Sequence, residues 1–263
     1  MTSGELPPVV DVTWLAERLG EEGLLLADVR GPNAHVSGHV PGSIPLVLGS
    51  PAQSTDTDVL ESFATEVGLR LRRHGITGEE RLVLYDRGDC VAAASVAQVA
   101  ELAGHPRVAV LAGGLAAWQG ELQTGVVELR KSKVQLTPRL DAVPTRDELL
   151  SRLGDPSLVV VDVRRPEEFA GESGYPCDPR QGHIPGARHL EVASLFDGPG
   201  QPKAPDEIRA LLALPEGARA VTYCHSGSRS ALGMMALRSA GYEARNYVGS
   251  WHEWSRHPEL PIE

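Results

Sequence analysis

The chain has 263 residues, 41% of them hydrophobic, and a formal net charge of −10 at pH 7. This composition is typical of a globular protein, and the length suits one large domain or two smaller ones. The acidic balance argues against nucleic acid or an anionic membrane as the main partner. The sequence has neither the roughly 18-residue apolar run of a membrane span nor a secretory signal in MTSGELPPVV. We therefore expect a cytoplasmic protein.

The chain contains the same series of segments twice, in the same order. Each half opens on a helical pattern, continues through a DVR strand and a GH[VI]PG turn, and ends on a strand, a short loop and a helix. Repetition of several segments in register indicates a duplicated domain. We predict a first domain over 1–125, a polar linker over 126–140 and a second domain over 141–263.

Within each half, short apolar runs alternate with helical patterns. LVVVDVR and RAVTY are short and rich in β-branched residues, as strands buried on both faces are. SRSALGMMALRSAG has apolar residues at helical spacing and ends at Gly241, and SWHEW begins a further helix. The alternation predicts an α/β fold in which each domain is a mostly parallel sheet flanked by helices.

The segment YCHSGSRS places Cys224 directly after a predicted strand and before a predicted helix. Ligands of open α/β sheets bind at this edge, and a loop leading into a helix N-terminus presents N–H donors to an anion. A helix N-terminus and a nearby cation such as Arg229 lower a thiol pKa. A lone cysteine after a strand is usually a small packing residue. Packing alone, however, does not call for the residues grouped beside this sulfur, which are His225, Ser226, Gly227, Ser228, Arg229 and Ser230.

These segments together resemble the rhodanese family of sulfurtransferases in its tandem two-domain form. The resemblance covers nearly the whole chain and is carried by the paired DVR, the paired GHVPGS and GHIPGA, and the Cys224 loop. It implies a Cys224 persulfide, formed from a small anionic donor such as thiosulfate and passed to cyanide or a thiol. It also implies a monomer that needs no metal or organic cofactor.

The first domain departs from this pattern. Aligning Tyr85 with Tyr223 puts Asp86 at the position of Cys224 and Cys90 opposite Ser228. Since a carboxylate cannot carry sulfur, we expect this domain to be catalytically silent and Cys90 to be a packing residue. Cys177 lies in an insertion that the first repeat lacks, and we expect it in a loop. No CxxC pair occurs, and the odd cysteine count disfavours a disulfide framework.

Three alternatives stay open at this point. Cysteine phosphatases and arsenate reductases of similar fold have five residues between cysteine and arginine, whereas only four separate Cys224 from Arg229. A 3-mercaptopyruvate donor is favoured by Ser226 but disfavoured by Glu168, which stands where many tandem members have a substrate-binding arginine. A persulfide carrier without turnover would use the same cysteine.

Other residues are candidates for substrate contact or for support of the loop. The sequence predicts Asp162 and Arg164 as an ion pair that shapes the domain or braces the loop. His39 is a candidate leaving-group contact, Arg180 a candidate anion contact, and Trp251 a core aromatic that could border the pocket.

Overall fold

The computed structural model describes residues 6–215 and 217–263. The strands are β1 Val9–Val10, β2 Leu24–Asp28, β3 Ile44–Pro45, β4 Arg81–Tyr85, β5 Val108–Leu111, β6 Leu158–Asp162, β7 Arg188–His189, β8 Phe196–Gly198, β9 Gln201–Pro202, β10 Arg219–Tyr223 and β11 Ala244–Asn246. The α-helices are α1 Val12–Ala16, α2 Pro32–Ser37, α3 Thr57–Arg73, α4 Val91–Leu102, α5 Gly114–Ala117, α6 Arg146–Ser151, α7 Pro166–Phe169, α8 Pro205–Leu212, α9 Ser228–Ser239 and α10 Ser250–Trp254. Two 3₁₀ helices span Leu140–Ala142 and Val192–Leu195.

The chain divides into two compact units. The first contains the chain up to Ser50, Glu61–Arg139 and Gly198–Gln201. The second contains Pro51–Leu60, Leu140–Asp197 and the chain from Pro202. Short segments from each half of the sequence thus belong to the other half's unit, which the repeat pattern does not predict. Residues 126–139 form neither helix nor strand.

Each unit is built on a parallel sheet, as the α/β prediction states. The first has the strand order β1-β5-β4-β2-β3 and the second β11-β10-β6-β7. The central strands are buried because helices cover both faces of such a sheet. All five residues of β6 and four of the five in β10 are buried.

Register brings the DVR motif beside the cysteine loop. Tyr223, the last residue of β10, pairs with Asp162 at the end of β6. Tyr85 pairs in the same way with Asp28 in the first unit. The loops that follow β4 and β10 therefore leave the sheet edge where ligands of parallel sheets bind.

No helix in the described part of the chain is long and apolar enough to cross a membrane.

Candidate active site

Cys224 lies between β10 and α9, at the point where the strand ends. Its side chain is 1% exposed, and its Sγ accepts a hydrogen bond from the Ser230 hydroxyl at 3.3 Å. The main chain is held on both sides, because the Cys224 N–H donates to Ser250 Oγ and its carbonyl accepts from the Trp251 N–H. The thiol is thus fixed by α9 and by the first turn of α10.

The loop after Cys224 reaches α9 through Gly227, the N-cap residue, whose φ is +87°. A Cβ added at this position would lie 2.8 Å from the Val248 carbonyl oxygen, so a side chain there would meet both strain and backbone. The buried Asn246 amide donates to the Gly227 carbonyl at 2.7 Å. Glycine therefore lets the loop pack closely against the segment that follows β11.

Three backbone amides of the loop have no hydrogen-bond acceptor in the described part of the chain. In residues 6–215 and 217–263, no acceptor takes the backbone N–H of His225, Ser226 or Gly227. The sequence predicts amides that converge on the thiol, but the hydrogen bond to Sγ comes from the Ser230 hydroxyl instead. The amides are left as donors for a further anion beside the sulfur.

Arg229 of the Cys224 loop is paired with a buried glutamate. Its guanidinium makes a bidentate ion pair with Glu168, at 2.8 and 2.9 Å. Burial disfavours the charged guanidinium, but the Glu168 hydrogen bond and the charge of Cys224 outweigh burial and raise the pKa of Arg229. Burial likewise opposes ionisation of Glu168, yet the Arg229 guanidinium lowers the pKa of that carboxyl to about 2. The loop's fixed positive charge is therefore balanced by a buried carboxylate.

The corresponding loop of the first unit shows what such amides bind. Asp86 follows β4, and its carboxylate accepts hydrogen bonds from the N–H groups of Gly88, Cys90 and Ala93, at 2.9, 3.1 and 3.2 Å. Burial raises the pKa of the Asp86 carboxyl, and the amide hydrogen bonds oppose that shift. In the first unit, the carboxylate of Asp86 thus accepts the hydrogen bonds that these amides would otherwise offer to a bound anion.

The two loops differ in one further respect. The helix N-cap is Cys90 in the first unit, four positions after Asp86, and Gly227 in the second, three positions after Cys224. The helix starts therefore place Cys90 opposite Gly227, and the alignment of Cys90 with Ser228 is corrected. The first loop is one residue longer than the sequence alignment assumes.

Comparison with known proteins agrees with this geometry. The model of the rhodanese-like domain matches residues 11–121 and again residues 145–257. The chain belongs to the rhodanese family. It is 30% identical to a thiosulfate sulfurtransferase of Azotobacter vinelandii, over 98% of this chain and 97% of the relative. It is 32% identical to a probable 3-mercaptopyruvate sulfurtransferase of Pseudomonas aeruginosa, over 94% and 95%.

A solved structure of the 3-mercaptopyruvate sulfurtransferase SseA of Escherichia coli is similar to the chain with a TM-score of 0.75 and 25% identity. That likeness covers 93% of this chain and 99% of SseA. The predicted fold class, two rhodanese-like domains with parallel sheets flanked by helices, is therefore confirmed.

The DVR pair of each rhodanese-like domain is a structural ion pair. Arg164 is 1% exposed, bonds both Asp162 oxygens and donates to the Gly182 carbonyl at 2.7 Å. Arg30 repeats these contacts with Asp28 and the Gly38 carbonyl in the first domain. Because the first domain, which has Asp86 in place of the cysteine, has the same pair, we assign it to joining the DVR strand to the GH[VI]PG turn.

Arg180 and Trp251, two candidate substrate contacts, both have protein partners, and Trp251 is the core aromatic that the sequence predicts. The Arg180 guanidinium donates to four backbone carbonyls, those of Trp254, Ser255, His257 and Leu260. These bonds occupy four of the five guanidinium N–H donors, so Arg180 is held by the end of α10 and the chain after it, which disfavours a role as an anion contact. Trp251 is fully buried in the core, with its indole N–H on the Arg180 carbonyl. It supports the loop through its backbone and does not border a substrate pocket.

The remaining predicted residues lie as follows. His39 belongs to the first unit, where its buried ring stacks on His35 at 3.7 Å; its leaving-group role stays a prediction. His225 stacks on Tyr175 at 3.6 Å. Ser226 and Ser228 are half-buried.

The other two cysteines differ in their environment. Cys90 is fully buried, and burial together with the Asp86 charge raises the pKa of its thiol to about 12. It is an inert packing residue, as predicted. Cys177 is exposed in an irregular segment, as expected of an insertion.

Sequence reasoning missed two residues that shape the site. It noticed Glu168 only as the absence of an arginine, whereas the structure makes it the partner of Arg229. It placed Ser250 only at the start of a predicted helix, whereas the Ser250 hydroxyl accepts a hydrogen bond from the Cys224 N–H. A buried acid in one motif and an arginine in another are a signal for such a pair, but only the fold brings the motifs together.

Proposed function

We propose that the protein is a sulfurtransferase that carries sulfane sulfur from thiosulfate to a thiophilic acceptor, as a persulfide on Cys224. Tandem thiosulfate and 3-mercaptopyruvate sulfurtransferases match it over nearly their full length, which supports this class of reaction. The observation that carries the proposal is the contrast between the two β-strand–loop–helix segments.

In the first domain, two loop amides and one amide of the first turn of α4 bind the Asp86 carboxylate. In the second, the thiol of Cys224 takes the place of the carboxylate, and the loop amides of Ser226 and Gly227 have no acceptor in the described residues. The terminal sulfur of Cys–S–S⁻ lies two bonds beyond Cβ, as the carboxylate oxygens of aspartate do. The silent domain is thus an internal mimic of the persulfide form of the active one.

In the first half-reaction, the Cys224 thiolate attacks the outer sulfur of thiosulfate. A sulfur–sulfur bond forms on Cys224, the bond within thiosulfate breaks, and sulfite leaves with the electron pair. The Ser230 hydroxyl, 3.3 Å from Sγ, donates to the thiolate and holds it in place. The free loop amides receive the negative charge that develops on the transferred sulfur.

In the second half-reaction, the acceptor attacks the terminal sulfur of the persulfide. With cyanide, a carbon–sulfur bond forms, the sulfur–sulfur bond breaks, and the electron pair returns to Cys224 as thiolate, with thiocyanate released. With a thiolate acceptor, the product is that thiol's persulfide. The covalent intermediate divides one transfer into two displacements at the same sulfur.

The Arg229–Glu168 pair bears on the choice of donor. Recognition of the carboxylate of 3-mercaptopyruvate calls for an additional guanidinium, and Glu168 occupies the position that supplies one in many relatives. Arg229 is already bound bidentately to that glutamate. A donor small enough to rest on the loop amides alone, such as thiosulfate, is therefore favoured over the keto acid.

The same pair disfavours phosphate hydrolysis. The loop of a phosphatase directs its arginine at the bound oxyanion, whereas the guanidinium of Arg229 is paired with the Glu168 carboxylate. Four residues separate Cys224 from Arg229, and this shorter loop suits one sulfur atom better than a tetrahedral oxyanion.

Thiocyanate formation from cyanide tests the proposal, with thiosulfate and then 3-mercaptopyruvate as donor. We expect turnover with thiosulfate, a lower kcat/KM with the keto acid, and protein that gains the mass of one sulfur atom when thiosulfate is added without acceptor. Cys224→Ser should abolish both signals. Cys90→Ala, which removes a buried thiol outside this loop, is the matched control and should keep them.

Full activity of Cys224→Ser would exclude Cys224 as the sulfur carrier. A stable sulfur adduct without thiocyanate would identify a carrier instead of an enzyme, and hydrolysis of an aryl phosphate without thiocyanate would identify a hydrolase.

A further inference from the structure

Four potential metal ligands meet beside the Cys224 loop. They come from two positions of the insertion, from the loop itself and from α10: Cys177, Asp178, His225 and His252. One donor atom from each lies within 4.8 Å of every other. The Asp178 carboxylate is 3.1 Å from His225 Nε2, and Cys177 Sγ is 3.8 Å from the same nitrogen. All four belong to the second compact unit.

Two of these donor atoms are buried and lack a hydrogen-bond partner in the described residues. Asp178 is 7% exposed, and its Oδ2 approaches His225 Nε2 without hydrogen-bond geometry. His252 Nδ1 is likewise unpartnered, 3.6 Å from Asp178 Oδ1. An unsatisfied buried polar atom costs free energy, so natural proteins seldom keep two side by side without a ligand. Both atoms are directed into the cluster.

The donor set suits one class of ion. A thiolate, two imidazoles and a carboxylate match the ligands and the coordination number of tetrahedral Zn²⁺. Hard cations such as Mg²⁺ and Ca²⁺ prefer sites made of oxygen alone. Two separations between donor atoms are close to the edges of such a tetrahedron: 3.1 Å from Asp178 Oδ2 to His225 Nε2, and 3.8 Å from Cys177 Sγ to the same nitrogen.

The surroundings orient the donors as metal sites do. Arg256 donates to Asp178 Oδ1 at 3.1 Å and to the Cys177 carbonyl, which leaves Oδ2 for the cluster. Tyr175 stacks on the His225 ring with the ring centroids 3.6 Å apart, and the main-chain N–H of His252 donates to the main-chain carbonyl of His225 at 2.9 Å. Hydrogen bonds and packing that fix ligands in this way are typical of the shell around a metal.

We propose that Cys177, Asp178, His225 and His252 form a binding site for one Zn²⁺ ion. Cys177 coordinates as a thiolate and releases its proton to solvent, and the two imidazoles coordinate in the neutral form. The ion joins the insertion to the loop residue that directly follows Cys224. The proposal does not depend on the sulfur-transfer reaction, and it departs from the sequence-based expectation that no metal is bound.

Cobalt titration tests the site, because Co²⁺ takes the place of Zn²⁺ and reports on its ligands by absorbance. The full chain, reduced and freed of metal by a chelator, should bind one Co²⁺ with a thiolate-to-cobalt charge-transfer band and the strong visible bands of four-coordination. Added Zn²⁺ should displace the cobalt. Cys177→Ser should remove the charge-transfer band. Both Cys177→Ser and His252→Ala should weaken affinity at least ~10-fold, since even supporting residues of metal sites are worth 10–100-fold.

Cys224→Ser distinguishes this site from metal capture by the active thiol, and it should keep the full cobalt spectrum. His74→Ala, which removes an imidazole of the first unit, is the matched control and should also keep it. Far-UV circular dichroism shows whether each variant folds, and Cys177 is exposed, so its replacement tests ligation without disturbing the core. The proposal is overturned if saturable binding with a charge-transfer band is absent, if Cys177→Ser retains that band, or if Cys224→Ser loses it. In each case the cluster is only an ion-pair network between Asp178 and its neighbours.

Discussion

Replacing Glu168 by glutamine removes the negative member of the buried pair and leaves Arg229 with a neutral partner. The Glu168 side chain is 1% exposed and that of Arg229 is 25% exposed. Breaking a buried pair by removing one partner is destabilising because the remaining charge is left uncompensated. We expect Glu168→Gln to lower the free energy of unfolding and to make stability less dependent on acid pH.

The pKa of Glu168 sets the size of the effect. Burial opposes ionisation of this carboxyl, but the ion pair with Arg229 outweighs burial and lowers the pKa of Glu168 from an ordinary value of 4.5 to about 2. At about 1.36 kcal/mol for each pKa unit, the ionised carboxylate contributes roughly 3 kcal/mol at pH 7. Because the folded-state pKa is depressed, this contribution is complete above the unfolded pKa and is lost as the pH falls through about 2. At pH 3 roughly 1.4 kcal/mol should remain.

Urea denaturation of the wild-type protein and of Glu168→Gln, at several pH values between 7 and 3, measures this difference. The gap in unfolding free energy should be roughly 3 kcal/mol at pH 7 and should narrow by about half at pH 3. Glu167→Gln is the matched control, since this neighbouring side chain is 42% exposed and meets Arg165 at 3.4 Å. An exposed pair of this kind is worth about 0–1 kcal/mol.

The reasoning is refuted if Glu168→Gln unfolds at the wild-type urea concentration at pH 7. It is equally refuted if the gap stays constant between pH 7 and pH 3, because the loss would then come from packing and not from the ionised pair.

Three further outcomes follow from the two loops. Gly227→Ala should lower the free energy of unfolding in urea by ~1–3 kcal/mol and remove most of the thiocyanate-forming activity, because the added Cβ would lie 2.8 Å from the Val248 carbonyl oxygen. Unchanged activity would contradict the loop geometry. Ser230→Ala should slow persulfide formation on Cys224 about 5–30-fold, measured by stopped-flow mixing with thiosulfate, because the thiolate loses its hydrogen bond from the Ser230 hydroxyl. An unchanged rate would remove Ser230 from the mechanism. Asp86→Asn should destabilise the chain by ~1–3 kcal/mol, since the loop of the first domain loses a carboxylate that accepts hydrogen bonds from three amides. The KM for thiosulfate should stay unchanged; a changed KM would give the first domain a part in donor binding.

Local sequence was sufficient to predict the buried central strands, the duplicated domain and the position of Cys224 at the end of a strand. Apolar runs such as LVVVD and RAVTY form buried strands, because a parallel strand that is covered on both faces carries mostly apolar side chains. The position of Cys224, directly after a strand and before a helix, follows from that alternation. Gly227 at the helix start has a positive φ, which is the property that singles out glycine in a loop sequence.

Charge partners, in contrast, were decided only by tertiary structure. The sequence suggests that Arg180 is a free cation near a motif, yet four carbonyls at the end of α10 and beyond it accept hydrogen bonds from its guanidinium. Glu168 and Arg229 lie 61 positions apart, and Cys177 and His225 lie 48 apart. A hydrogen bond or a coordination bond acts over about 3 Å, so its partners are set by how the strands and loops come together in space, which the order of residues along the chain does not specify.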